Sequence, residues 1–109
     1  LTHPDDLYQL LREGKITEFN QRKAQADRVK LNDFDFRHID LRGIDAQSVD
    51  FRNCYFHNAD LRGVDFSQAT LEGASFNSAR ISGVLFPKDL AAQEIILSVT
   101  YGTRVRYLK

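Results

Sequence analysis

The chain has 109 residues, a length that suggests one small domain. Its 15 basic and 15 acidic residues cancel, which weakens any function based on bulk attraction to nucleic acid or to an anionic membrane. The single cysteine, Cys54, cannot form an internal disulfide, and no apolar run reaches the length of a membrane span. These features predict a cytoplasmic protein that has neither nucleic acid nor a membrane as its partner.

Residues 1–28 are predicted to form an N-terminal helical cap. Asp5 or Asp6 can begin a helix after Pro4, because a short acidic side chain accepts hydrogen bonds from the free N–H groups of the first turn. Gly14 is expected to end this helix, and a second short helix follows it. The apolar residues that indicate these helices are Leu7, Leu10 and Leu11 in the first, and Ile16 and Phe19 in the second.

Residues 29–88 contain a repeat of five residues. An apolar residue, here named the centre, returns at every fifth position, and an uncharged residue stands two places before it. Asp lies between these two positions in six of the twelve repeats. The centres are Leu31, Phe36, Leu41, Ala46, Phe51, Phe56, Leu61, Phe66, Leu71, Phe76, Ile81 and Phe86.

A period of five fits neither a long helix nor a long strand. After five residues a helix has turned through about 500°, so its apolar stripe would drift around the axis. A strand would present alternate faces at successive repeats. A short extended piece followed by a bend, repeated many times, keeps every centre pointing at a common axis and predicts a solenoid.

A second period of 20 residues joins four repeats into one turn of the solenoid. LRGID at 41–45, LRGVD at 61–65 and ISGVL at 81–85 align at this spacing. Their glycines suit the bends, because glycine tolerates positive φ. The segment therefore predicts three turns, which rise about 15 Å at the usual strand spacing.

This segment resembles the pentapeptide-repeat proteins, whose pattern is a small residue, Asp or Asn, Leu or Phe, and two variable residues. Ala59, Asp60, Leu61, Arg62 and Gly63 match that pattern best, and the resemblance covers residues 29–88. The resemblance implies an all-β solenoid, a right-handed quadrilateral β-helix of about three coils, capped here by helices at both ends. It implies no catalytic residues, because the family shares none.

Bulky side chains at the beginning of the repeat depart from the family pattern. Phe34, Ile39 and Ile44 stand where the family is usually small, and all three lie in the first 20 residues of the repeat. A bulky residue at the end of a solenoid can reach a cap, and terminal repeats need one. We therefore expect the N-terminal helices to cover this end.

Residues 89–109 are predicted to form the C-terminal cap. A helix is expected from about Lys88 to Tyr101, ended by Gly102. Apolar residues lie on two of its sides, so one side can cover the last repeats and the other is free for the tail or for a second subunit. The tail, TRVRYLK, alternates apolar and basic residues like a short strand. The residues predicted for self-association are Ile96, Val99, Val105 and Tyr107.

Outward side chains spaced 20 residues apart define two candidate surfaces for a protein partner. Tyr and Arg are favoured at protein interfaces, which supports the first surface. In the second, opposite charges alternate and can also neutralise one another in solvent. The residues are Arg37, Tyr55 and His57 on the first surface, and Arg42, Asp60 and Arg62 on the second. Leu85, also outward, is expected to be covered by the C-terminal helix.

Side chains with catalytic or metal-binding chemistry are not grouped by the repeat. Cys54 is expected to point inward and His57 outward, so neither a metal site nor a nucleophilic thiol is predicted. No phosphate-binding glycine loop, nucleophile elbow or zinc-ligand spacing occurs in the sequence. We therefore expect no enzyme activity, no catalytic residue and no cofactor.

The sequence favours a non-enzymatic protein-protein interaction or scaffold module, with a homodimer through the C-terminal cap as a variant. The alternative that the resemblance implies is a DNA mimic that binds and protects DNA gyrase, as some family members do. Such mimics are long acidic rods, whereas residues 29–88 hold eight acidic and seven basic residues. Their predicted rise of about 15 Å is also less than half of one DNA turn of about 34 Å.

Overall fold

The computed structural model describes residues 3–108. The first two residues of the predicted N-terminal cap and the last residue of the predicted C-terminal cap lie outside the described residues. The helices are α1 (Pro4–Arg12), α2 (Ile16–Lys23) and α3 (Ala92–Tyr101), and the strands are β1 (Val29–Lys30) and β2 (Val49–Asp50). No helix within residues 3–108 is long and apolar enough to cross a membrane. The division of the chain at residues 28 and 88 stays a prediction.

Residues that are 20 apart in the sequence lie side by side. β1 and β2 pair in parallel with Val29 opposite Val49, and isolated parallel bridges join 35 to 55, 40 to 60, 50 to 70, 55 to 75, 60 to 80 and 65 to 85. Backbone hydrogen bonds run in both directions between such neighbours, as from Leu41 N–H to Asp60 O at 2.9 Å and from Asp60 N–H to Ile39 O at 3.0 Å. We refer to residues 29–48, 49–68 and 69–88 as coil 1, coil 2 and coil 3.

Regular strand is short because the chain bends at almost every fifth residue. The backbone has positive φ at residues 33, 38, 43, 48, 53, 58, 63, 73, 78 and 83. The six non-glycine residues at these bends are all Asn, Asp, Ser or His, and Asn and Asp tolerate this conformation better than most. The predicted period of five is therefore a period of bends, and apart from β1 and β2 the pairing is confined to single bridges.

The centres form the core between the bends. Ten of the twelve are at most 2% exposed, and only Ile81 and Phe86 are partly buried. Phe36, Phe56 and Phe76 stack through the three coils with ring centroids 5.3 and 5.2 Å apart and nearly parallel planes. Burying each ring contributes about 1.5–3 kcal/mol, and each such aromatic contact adds about 0.5–1.5 kcal/mol.

The first helix begins at Pro4, before the predicted Asp5 or Asp6. Proline loses no hydrogen bond at the first helical position, because the N–H there has no partner within the helix. The cap is His3, whose Nδ1 accepts the Asp5 N–H at 3.2 Å. The two aspartates lie in the first turn instead, where their charge favours the helix N-terminus.

α1 and α2 pack against coil 1. Tyr8 of α1 stacks on Phe34 with ring centroids 4.4 Å apart. The side chain of Asn20 in α2 donates to Gly43 O at 3.0 Å and accepts the Asp45 N–H at 2.9 Å. The bulky Phe34 thus meets a helix, in the way that its position in the sequence predicts.

α3 begins at Ala92, four residues after the predicted start at Lys88. Leu90 N–H donates to Pro87 O at 3.0 Å, which closes a turn just before the helix. Ala91 is then extended, with φ −67° and ψ 144°, and serves as the N-cap. The turn occupies residues 87–90, where the helix was expected to begin, and α3 follows it.

The tail returns along coil 3 after α3. Gly102 closes the helix with φ 78°, as predicted, because this conformation suits glycine. Arg104 then forms an antiparallel bridge with Ser75, and Val105 N–H donates to Ala74 O at 2.9 Å. The tail forms a single bridge at Arg104 rather than the predicted strand, and it covers part of the free edge of coil 3.

Candidate protein interface

Arg37, Tyr55 and His57 share one side of the molecule, which we name the Tyr55 face. Successive bridges place Asp35 beside Tyr55 and Tyr55 beside Ser75. Arg37 Nη2 lies 2.7 Å from Asp35 Oδ2, and the ring centroids of Tyr55 and His57 are 5.4 Å apart. The three residues predicted for this surface are thus neighbours.

Arg104 reaches the Tyr55 face from the tail, which the sequence reasoning missed. Its guanidinium donates to the Tyr55 hydroxyl, and its Cζ lies 5.0 Å from the centroid of that ring. A second N–H of Arg104 donates to Gly73 O at 2.9 Å. Tyr55 keeps 36% of its surface exposed, so the chain itself occupies part of this face.

A buried serine links the Tyr55 face to the end of α3. Ser75 is 1% exposed, and its hydroxyl donates to Gly102 O at 3.0 Å. His57 Nε2 lies 3.0 Å from Ser75 Oγ and must be the donor there, because the hydroxyl has only one hydrogen and donates it to Gly102 O. His57 is therefore held toward Ser75 rather than free in solvent.

Arg42, Asp60 and Arg62 also lie together, as part of a ladder of paired charges. Arg42 Nη2 is 2.7 Å from Asp40 Oδ2, Arg62 Nη2 is 2.7 Å from Asp60 Oδ2, and Arg42 Nε is 3.4 Å from Asp60 Oδ2. The hydrogen bond from Arg62, assisted by the charge of Arg42, lowers the pKa of Asp60 to about 2. These charges neutralise one another, and their role toward a partner stays a prediction.

The residues predicted for self-association do not form one surface. Val105 is 1% exposed, because pairing of its backbone with coil 3 turns the side chain into the core, so it is not free to meet a second copy. Val99 is partly buried against the core, and the Tyr107 hydroxyl accepts the Leu71 N–H at 2.8 Å. Ile96 is 63% exposed and is the member of the set that remains available.

The inward face of α3 contains a serine that the sequence reasoning missed. Ser98 is fully buried, and its Oγ accepts the Phe76 N–H of coil 3 at 2.8 Å. It lies one turn from Ile95, which is also buried. Its spacing from Ile95 was the only sign in the sequence that Ser98 faces the core. A small polar residue at a helical spacing is a weak indication of burial.

Large apolar side chains are exposed mainly at the C-terminal end. Within residues 3–108, five of the six such side chains follow residue 84. Leu85 is 58% exposed, so the expectation that the C-terminal helix covers it is wrong; α3 packs over a different part of coil 3. The five are Leu85, Ile96, Leu97, Tyr101 and Leu108.

Cys54 belongs to the core. It is fully buried, its Sγ lies 2.9 Å from Leu31 O, and burial raises the pKa of the thiol to about 12. His57 lies on the surface, so the two side chains diverge as expected. Among the residues that the structure describes, no three His, Cys, Asp or Glu side chains are grouped as metal ligands.

A comparison with known families recognises part of the repeat. A model of the pentapeptide repeats matches residues 50–86 in eight copies, which confirms over these residues the resemblance to the pentapeptide-repeat proteins. The match lies in coils 2 and 3, whereas coil 1 contains the bulky departures. Repeats of this kind imply a β-helix in general and suggest a protein-interaction or scaffold module. Among curated proteins and solved structures, nothing matches the chain.

Proposed function

We propose that the protein is a non-enzymatic interaction or scaffold module that self-associates through its C-terminal end. The observation that supports this is the concentration of exposed apolar side chains there, with Ile96 63% and Tyr101 73% exposed on one short helix. Scattered exposed apolar residues are ordinary, but a group of them in one region is typical of an interface.

The charges of α3 support the same proposal. The helix has one charged residue, Glu94, and its carboxylate is held by Arg106 with an Nη2–Oε2 distance of 2.9 Å. The hydrogen bond from Arg106 also lowers the pKa of Glu94. A helix that faces water normally has charged residues on its outer side, so a helix without a free charge suits a contact with protein. The net charge of zero means that two copies do not repel each other at long range.

We further propose that the repeat is a right-handed quadrilateral β-helix of about three coils. The 20-residue offset of the bridges and the bends at every fifth residue support four sides to each coil. Such a body is a short rigid prism, in which the Tyr55 face and the charged ladder are the sides offered to a different protein. Affinity capture with Tyr55→Ala and His57→Ala chains tests that use of the Tyr55 face.

Sedimentation and light scattering of the purified chain test self-association. We expect the mass to rise from one chain toward two with concentration, and Ile96→Asp to shift this transition to higher concentration. Thr17→Asp is the control, because it adds the same charge at an exposed position of α2, at the other end of the chain. A wild-type chain that stays monomeric at about 1 mM would exclude even a weak dimer.

The alternative function, binding and protection of DNA gyrase, has the family resemblance as its support. The balanced charge of the repeat opposes it, and the longest dimension of the molecule is 37 Å, about one turn of DNA. An end-to-end dimer would lengthen the rod. A supercoiling assay in which the protein neither inhibits gyrase nor relieves its inhibitors would remove this alternative.

A further inference from the structure

One half of the C-terminal edge of coil 3 is covered by the chain itself. In coils 1 and 2, backbone N–H groups on each side of the coil donate hydrogen bonds to the following coil. In coil 3, groups of α3 and of the tail take the place of that next coil and accept at 2.8–3.0 Å. The donors satisfied in this way are the N–H groups of Leu71, Gly73, Phe76 and Ser78.

The other half of this edge is open. In coil 2 the N–H groups of Leu61, Gly63 and Phe66 donate to coil 3 at 3.0, 2.9 and 2.7 Å. The equivalent donors in coil 3 have no hydrogen-bond partner within residues 3–108, and neither do two equivalent carbonyl groups. The unpaired groups are the N–H groups of Ile81, Gly83 and Phe86 and the carbonyl groups of Ala79 and Val84.

The core is also less well covered beneath this half. Ile81, Val84 and Phe86 are only partly buried. Their equivalents in coil 2, Leu61, Val64 and Phe66, are 0%, 2% and 0% exposed. Leu85 lies between two of the partly buried residues and is itself 58% exposed. An unpaired edge above an apolar interior is a template for another chain.

The outward face of α3 has the chemistry to cover such a surface. At 3.6 residues per turn, Gln93, Leu97 and Thr100 lie opposite the buried Ile95 and Ser98, and all three are exposed. Ile96 and Tyr101 lie on the two flanks of this outward face. The face therefore combines apolar area with an amide and a hydroxyl that can bond free backbone groups, and it has no charge to desolvate.

We infer that a second copy of this chain completes the end, with α3 of each copy lying on the open half of coil 3 of the other. This inference rests on the proposed self-association and specifies its geometry. The covered half of this end is raised by the tail on one side and by α3, about 10 Å across, on the other, and the open half is left low. A two-fold axis between two such ends, along the line that divides the halves, places the raised half of each copy on the low half of its partner.

The opposite arrangement, with open half on open half, does not fit. The same rotation that superposes the two open halves also superposes the two copies of α3. Two stacked helices need about 20 Å between the coils, whereas paired strands lie about 4.8 Å apart. The contact between α3 and the partner's coil 3 is therefore the arrangement in which both halves are filled.

Cross-linking between chains tests this geometry. In a Cys54→Ala background, a mass-tagged Leu85→Cys chain is mixed with an untagged Leu97→Cys chain and treated with a short bis-maleimide. We expect the mixed product to exceed the product of Leu85→Cys with itself by at least about tenfold. In the proposed dimer, position 85 of one chain lies against position 97 of the other, not against position 85. Thr17→Cys mixed with Leu97→Cys is the control and should give no product.

A charge pair provides a second, non-covalent test. Leu85→Lys and Leu97→Asp should each weaken self-association, because each homodimer then holds two buried charges without partners. A mixture of the two chains should associate more tightly than either alone, since one contact gains an ion pair and the other remains Leu85 on Leu97.

The outcomes separate the inference from the proposed function. If the wild-type chain dimerises but Leu85→Cys cross-links mainly to itself, or if mixing the charged chains restores nothing, the geometry is wrong and self-association stands. If the wild-type chain is monomeric at every concentration, both are wrong.

Discussion

The side chain of Asn53 in coil 2 lies directly against Gly73 in coil 3. A Cβ at Gly73 would come within 2.0 Å of Asn53 Oδ1 and 3.1 Å of Asn53 Cγ. Both residues occupy bends with positive φ, 61° for Asn53 and 81° for Gly73. The coils are therefore close-packed at this bend as well as in the core.

Gly73→Ala should destabilise the fold more than Gly63→Ala. Both glycines have positive φ, so either alanine costs about 1–2 kcal/mol of backbone strain. Nothing lies within 4 Å of a Cβ at Gly63, whereas at Gly73 the exposed side chain of Asn53 must turn away to make room, which should add a smaller further cost. Urea unfolding measures both, and Asn53→Gly should recover part of the loss in the Gly73→Ala chain. Equal midpoints for the two alanine variants would contradict the contact.

Leu61→Ala should lower the free energy of unfolding by about 2–5 kcal/mol, the range for emptying a buried leucine site. Leu61 is a fully buried centre of coil 2. Leu85→Ala is the matched control, because Leu85 is 58% exposed and should change stability by no more than about 0.5 kcal/mol. Thermal melts at a concentration where the chain is monomeric compare the two. A Leu61→Ala chain that melts like the wild type would refute the assignment of the core.

Ser98→Ala should cost about 1–3 kcal/mol, although it removes a single oxygen. The Phe76 N–H then loses its acceptor at 2.8 Å in a buried site, and an unpaired buried donor carries a full desolvation penalty. Thr100→Ala on the outward face of the same helix is the control, compared at a concentration where the chain is monomeric. Chemical denaturation distinguishes them, and a serine variant as stable as the threonine variant would mean that α3 does not dock through Ser98.

Asp60 should make stability depend on pH in acid. Its pKa in the fold, about 2, is below the unfolded value of about 3.9, because Arg62 and Arg42 favour the charged form. Its contribution is therefore complete above about pH 4 and is lost as the pH falls toward 2. The difference in melting temperature between wild type and Asp60→Asn should shrink over this interval. A difference that stays constant to pH 2 would show that the carboxylate contributes nothing through its charge.

The features that recur could be predicted from the sequence, because a buried apolar side chain is required at the same position of all twelve repeats. The positions of Phe56 and Leu61 in the core, the bend at Gly63 and the 20-residue neighbours follow directly from the two periods. Phe34 could be assigned to a capped end because it breaks the pattern at its first repeats.

Features that occur once were harder to predict. The start of α3 depends on the turn at Leu90, by which the chain leaves coil 3, and no periodicity describes it. The contact of Arg104 with Tyr55 depends on the path of the tail after Gly102. The burial of Val105 could not be predicted, because the alternation of apolar and basic residues in the tail does not show whether the apolar face meets the core or a second chain.

The hydrogen bonds at the open half of coil 3 also set how quickly backbone amides exchange with solvent deuterium. Gly63 N–H donates to Ser82 O at 2.9 Å and can exchange only when coil 3 lifts away, whereas the equivalent Gly83 N–H has no such barrier in a single chain. Two amides separated by one strand spacing should thus differ greatly in lifetime. We expect local unfolding to begin at the open half of coil 3 and to proceed toward the N-terminal helices one coil at a time.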